Sequence, residues 1–86
     1  MTSDTKFFDD LSKIIIFHRK QSGLNRAELS HLSNVSKTVI YDIEHGKKTV
    51  RFENIVKILN VLNIKIKFTS PLMSSYMELL NKNEKS

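Results

Sequence analysis

The chain has no cysteine and no tryptophan, and only one proline and two glycines among its 86 residues. Without cysteine there is no disulfide framework and no thiolate metal site, which suits a cytoplasmic protein. Proline scarcity leaves Pro71 as the one strong break. Long apolar runs are missing too. The longest, Ile14 to Phe17, falls far short of a bilayer span, so no membrane association is expected. The opening MTSDTKFFDD is acidic and lacks an apolar h-region, so no signal peptide is expected in it. There are no repeats and no low-complexity tract. The length allows one domain with a small core.

Catalytic pairings are also scarce. His18, His31 and His45 are the only histidines, and just one has a carboxylate at useful spacing, in Glu44-His45. Acid–base chemistry or a zinc site would need a constellation that this spacing does not supply. The expectation is a binding protein rather than an enzyme, with no metal and no cofactor.

What the chain does have is positive charge, unevenly placed. The net charge is +5. Residues 13–51 carry Lys13, Arg19, Lys20, Arg26, Lys37, Lys47, Lys48 and Arg51 against Glu28, Asp42 and Glu44, so this segment alone accounts for the whole excess. A solvated helix face is the ordinary reading of such charge. Here it coincides with a sequence built for a rigid double helix element.

Apolar residues at Phe7, Phe8, Leu11, Ile14, Ile15 and Phe17 have helical spacing, and Gln21-Ser22-Gly23 ends that helix. Asn25 is a good N-cap with Glu28 three residues on, as in a capping box, which predicts a helix from Arg26 to about Ser33. In it Leu29 and Leu32 should share a face, and Ala27 is small enough for close helix contact. Asn34 tolerates the left-handed turn that follows. Ser36 caps the next helix, in which Val39, Ile40 and Ile43 are spaced for burial, and Gly46 closes it. Helices this short are marginal alone and need the flanking segments to pack against. A further helix carries Phe52, Ile55, Val56, Ile58, Leu59 and Leu62 on one face.

LNRAELSHLSNVSKTVIYDIEHGKK resembles the helix-turn-helix of the XRE (Cro/CI-like repressor) family. The resemblance rests on Leu24, Asn25, Glu28, Leu29, Val35, Ser36, Ile40, Glu44, Gly46 and Lys47. Asn34 stands where that family usually has glycine, and Asn25-Arg26 where Thr-Gln is common. The resemblance implies a mostly α, four- to five-helix lambda-repressor-like domain that binds double-stranded DNA through the helix after Ser36. Carried over, its base-reading positions are Ser36, Lys37, Thr38 and Tyr41. Lys37 can donate to guanine O6 and N7, and the Thr38 methyl can touch a thymine methyl. Asn25 and Arg26 on one side, and Lys47, Lys48, Thr49 and Arg51 on the other, suit phosphate contacts. Asp42 should face away from the duplex. Arg19 either joins the phosphate contacts or pairs with Glu44, a structural role the family implies.

From Asn63 to Thr69 the pattern changes to strict alternation, which indicates a half-buried strand. A lone strand in a helical domain has an open edge, and a second copy across a two-fold axis would cover it. Ile64, Ile66 and Phe68 would then form a homodimer interface. The alternative is a strand-like tail lying on its own core. Helices followed directly by such a strand resemble HipB-type antitoxins, dimeric regulators that repress their own operon and hold a HipA-like kinase toxin. A stand-alone or phage-type repressor, or a protein-binding adaptor, are the other readings. The expected organisation is a flexible 1–6, a DNA-binding and dimerisation domain over 7–70, and an extension over 71–86. In the extension, Leu72, Met73, Tyr76, Met77, Leu79 and Leu80 can form the apolar side of a short helix, either packed on its own domain or docked on a toxin or the dimer partner. The closing KNEKS should fray.

Overall fold

The computed structural model describes the backbone of residues 3–85 and the side chains of residues 5–83. Five helices follow one another: α1 (Ser3–Gln21), α2 (Arg26–Ser33), α3 (Lys37–Glu44), α4 (Phe52–Val61) and α5 (Met73–Lys85). α1 begins four residues before the predicted Phe7, and α5 continues through most of the segment expected to fray; Met1, Thr2 and Ser86 lie outside the described residues.

Local chemistry sets the helix ends. Asn25 accepts from the Glu28 backbone N–H, while the Asn25 N–H donates to Glu28 Oε1, both at 2.8 Å, so the predicted capping box is complete. α2 stops at Asn34, which sits in the left-handed region at φ 59°. Ser36 Oγ accepts from the Val39 N–H at 3.2 Å and starts α3. α3 ends in a Schellman turn: the Lys47 N–H reaches the Asp42 carbonyl (3.0 Å) and the Gly46 N–H reaches Ile43 (3.1 Å), with Gly46 at φ 77°. α4 ends in the same way. There Asn63 takes the positive φ, 60°, and the Ile64 N–H bonds to the Leu59 carbonyl at 2.9 Å.

The core is aliphatic. Ile15, Leu29, Ile40 and Ile58 are fully buried, one from each of α1 to α4, and Val35, Ile43, Ile55, Leu59 and Leu62 complete the cluster. α3 packs against α1 and α2, and α2 also packs against α4. α3 is therefore fixed from behind by its two neighbours while its other side remains open. Two expected packing positions turn outward. Leu32 is exposed because the inward line of α2 runs through Leu29 and Ser33, four residues apart. Ala27 faces solvent instead of a neighbouring helix.

The strand predicted over 63–69 is absent: the described residues contain no strand, and residues 64–70 carry no regular secondary structure. The physical reason is that a ladder requires a partner, and one copy of the chain offers none. Ile64, placed at the dimer interface from its alternation, instead packs against the chain's own core. It follows the left-handed Asn63, where the residue after a Schellman turn meets the last turn of the helix. Ile66 and Phe68 remain exposed. They line a groove of about 290 Å³ with Phe7, Ile14 and Phe52, three other residues expected on buried stripes. α5 has no substantial packing against the other four helices. The radius of gyration, 16.1 Å, accordingly exceeds the roughly 12 Å of a compact chain of this length.

Candidate nucleic-acid interface

Glu44 organises the open side of α3 from below. Its carboxylate is fully buried and receives three charged hydrogen bonds. Arg19 donates from Nε to Oε2 (2.6 Å) and from Nη2 to Oε1 (3.1 Å), and Arg26 donates from Nε to Oε1 (2.7 Å). Arg19 Nη1 also donates to the Leu24 carbonyl at 3.0 Å, tying α1 to the loop before α2. Arg19 thus takes the second of its two expected roles, as the partner of Glu44. Burial pushes the Glu44 carboxyl up, but the two guanidinium groups more than offset this and hold it below the ordinary glutamate range.

Arg26 differs from Arg19 in being only partly covered. Its side chain is 39% exposed, and the guanidinium lies 5.3 Å from the centre of the Tyr41 ring. Among the described residues its two terminal nitrogens have no hydrogen-bond partner. Tyr41 in turn stacks on His45, with ring centres 3.8 Å apart and planes 22° apart. His45 is held by an Nδ1 contact to the Tyr41 carbonyl at 2.7 Å. A column of Arg26, Tyr41 and His45 therefore stands along α3. The sequence carried one signal for it, the four-residue spacing of Tyr41 and His45. Nothing in the spacing revealed that Arg26 shares Glu44 with Arg19.

Lys37, Thr38 and Tyr41 are all exposed, as a surface that meets a partner requires. With Arg26 and Ala27 they line one open concavity of about 430 Å³. Small Ala27 leaves the floor of this space free. Ser36 is exposed beside it; its oxygen is occupied as the cap, and its hydroxyl proton remains available to donate. Asn25 lies in an adjoining recess with Glu28 and His31. Its side-chain oxygen and backbone N–H are both used by the capping box, which leaves its side-chain amide N–H groups facing outward.

The second cluster of expected phosphate contacts divides. Lys47, Thr49 and Arg51 line a recess of about 270 Å³ together with Val39 and Asp42. Asp42 was expected to point away from a duplex, yet it shares this recess and sits 3.5 Å from Lys47 Nζ. Lys47 partly neutralises that carboxylate. Arg51 is exposed and only loosely paired with Glu53, at 3.4 Å. Lys48 turns the other way, donating to Thr5 Oγ1 near the start of α1 at 3.1 Å.

Among the described residues no group of three or more histidine, aspartate or glutamate side chains is placed to hold a metal ion. His18 and His45 each contact a carbonyl one turn back on their own helix. Among the same residues, no helix is long and apolar enough to cross a membrane.

No curated protein matches the chain. The helix-turn-helix family profile matches residues 17–68, from the last turns of α1 through α4 and into the segment beyond it. That stretch covers well over half of the chain and contains α2, α3 and the exposed face they share. The chain belongs to the XRE-type helix-turn-helix family of DNA-binding transcription regulators.

Proposed function

We propose that this protein is a sequence-specific repressor that binds an inverted-repeat operator as a homodimer, by binding alone and without catalysis. The observation that carries this reading is the exposed concavity that Arg26 from α2 shares with Lys37, Thr38 and Tyr41 from α3. A helix entering the major groove by its N-terminal end presents its first turn to base edges. Lys37 and Thr38 occupy that turn, with Ser36 as the cap that can also donate. Arg26, braced by Glu44 and the Tyr41 ring, offers its terminal nitrogens to a phosphate at the groove wall. Asn25, Lys47, Thr49 and Arg51 add backbone contacts around it. Ile66 and Phe68, with the 64–70 backbone as the pairing edge, close the two-fold seam, and the two copies of α3 then stand about 34 Å apart, one turn of DNA.

The finer reading is a HipB-like antitoxin that represses its own operon and holds a HipA-like kinase toxin. Its support is the resemblance of the helices together with the alternating segment directly after α4. Co-purification of a kinase with the tagged chain from its native cells supports that role. A chain that regulates its operator with no kinase bound is a stand-alone repressor.

Binding selection from a random duplex library tests the central claim. The wild type should enrich a palindromic site. Lys37→Ala or Thr38→Ala should relax preference at one base position in each half-site, by about 1–3 kcal/mol of discrimination. An unchanged base profile in both variants would remove α3 as the reading helix.

A further inference from the structure

Among the described residues, two apolar surfaces are left uncovered by the chain itself. One is the groove between α1, α4 and residues 64–68, where Phe7, Ile14, Phe52, Ile66 and Phe68 are exposed. The other is one side of α5, where Tyr76, Met77, Leu79 and Leu80 are exposed, together with Leu72 in the turn just before it. We propose that two copies of the chain exchange α5, each laying this side of the helix over the groove of the other copy. The exchange rests on the dimer proposed above and says what completes it.

A helix of 13 residues without tertiary contacts is marginal in water, so α5 needs a surface to lie on. Its own domain does not supply one: α5 has no substantial packing on α1 to α4. Residues 64, 65, 66 and 68 line the groove themselves and carry the chain along it, so that α5 begins beyond its end. A foreign partner would cover one of the two surfaces and leave the other wet. A second copy covers both at once, because each chain gives a helix and receives one, and the arrangement closes under a two-fold axis. The area is sufficient. Phe7, Phe52, Phe68 and Tyr76 are 55%, 62%, 77% and 53% exposed. At roughly 200 Å² per aromatic side chain, these four leave about 500 Å² in water. The aliphatic members of the two surfaces bring the total to the roughly 800 Å² per partner of a standard stable interface.

The cysteine-free chain permits a direct test. Full-length Phe52→Cys and Leu79→Cys proteins are mixed in equal amounts, allowed to exchange, and oxidised. The expected product is the mixed dimer, joined between the two variants in preference to either with itself. The double variant carrying both cysteines should likewise form disulfide-linked dimers. Leu79→Glu should raise the dimer dissociation constant at least tenfold by sedimentation while leaving the helical circular dichroism of the domain unchanged. A double variant that closes its disulfide within one chain overturns the exchange. So does a mixture that stays uncross-linked, whether the protein is monomeric or dimeric by sedimentation; in the dimeric case the two-fold seam survives and the exchange does not. A mixed dimer in a protein that selects no DNA site supports the exchange and sinks the regulatory reading.

Discussion

Removing the Glu44 carboxylate should unfold this domain at markedly lower temperature, and the size of the effect follows from its surroundings. Glu44 is fully buried between a nearly buried Arg19 and a half-covered Arg26. Glu44→Ala leaves the Arg19 guanidinium inside with only the Leu24 carbonyl for company. Breaking a buried pair from one side costs about 3–5 kcal/mol, because a charge is left uncompensated. The lower end applies here, since Arg19 keeps one hydrogen bond and Arg26 can turn to water. A domain of this size has a total stability of about 4–13 kcal/mol, so a loss of about 3 kcal/mol is a large fraction of it. At roughly 4–8 °C per kcal/mol, Tm should fall by about 12–24 °C. By contrast Arg26→Ala should cost no more than about 1 kcal/mol, because Arg26 is partly open to solvent and Glu44 keeps both of its hydrogen bonds from Arg19.

The same carboxylate makes a pH prediction with a definite sign. Its folded pKa is depressed, so the unfolded state binds the proton more readily. The contribution is complete above the ordinary glutamate range and is lost as pH falls through the depressed folded value. Glu44→Gln keeps the shape and one acceptor but cannot titrate. The stability gap between wild type and Glu44→Gln should therefore be widest near neutrality and close on acidification. Urea denaturation at a series of pH values measures it. A Glu44→Ala Tm within about 3 °C of wild type, less than 1 kcal/mol, would refute the account of the buried pair. A gap that stays constant on acidification would refute the account of its charge.

The helix ends and the second recess give further expectations. Asn25→Ala removes the capping-box acceptor and should cost about 1 kcal/mol in thermal denaturation. Asn34→Ala should cost about 1–2 kcal/mol because alanine resists the left-handed region, whereas Asn34→Gly should be close to neutral; equal effects of the two would show that the turn relaxes. Asp42→Asn removes an anion from the recess and frees Lys47, so operator affinity should rise, with the salt slope steepening by up to about 0.9 per phosphate gained. Weaker binding by Asp42→Asn in a fluorescence titration would place that recess off the duplex.

The local parts of this fold were legible because single residues decide them. Asn25, Asn34, Ser36 and Gly46 each solve a problem of one helix end, and each acts within five residues of its own position. Their types were enough to place the starts of α2 and α3 and to bracket where each helix stops. Packing direction was harder, because apolar spacing marks a stripe but not which edge of it faces inward. Ile14 and Ile15 are neighbours in one apolar run, yet Ile15 is fully buried and Ile14 borders the open groove. Only the positions of α3 and α4 decide between them.

Residues 63–69 show where a periodic pattern carries two meanings. Asn63 and Ile64 belong to the stop signal of α4, a left-handed residue followed by an apolar one, and that signal happens to continue the alternation of Ile66 and Phe68. The structure separates the two by burial: Ile64 joins the core while Ile66 and Phe68 stay wet. The same ambiguity explains why Arg26 could not be read beforehand. A cation at the start of a helix serves a phosphate or a buried carboxylate equally well by sequence. Here it serves the carboxylate with Nε and keeps the remainder of the guanidinium outward, because Glu44 lies one helix away at a depth that Arg26 reaches with only its inner nitrogen. A site built in this way depends on α2 and α3 keeping their spacing. The energetics of Glu44 and the geometry of the exposed face of α3 are therefore one problem, and substitutions beneath that face should alter DNA binding through Arg26 before they alter it through Lys37.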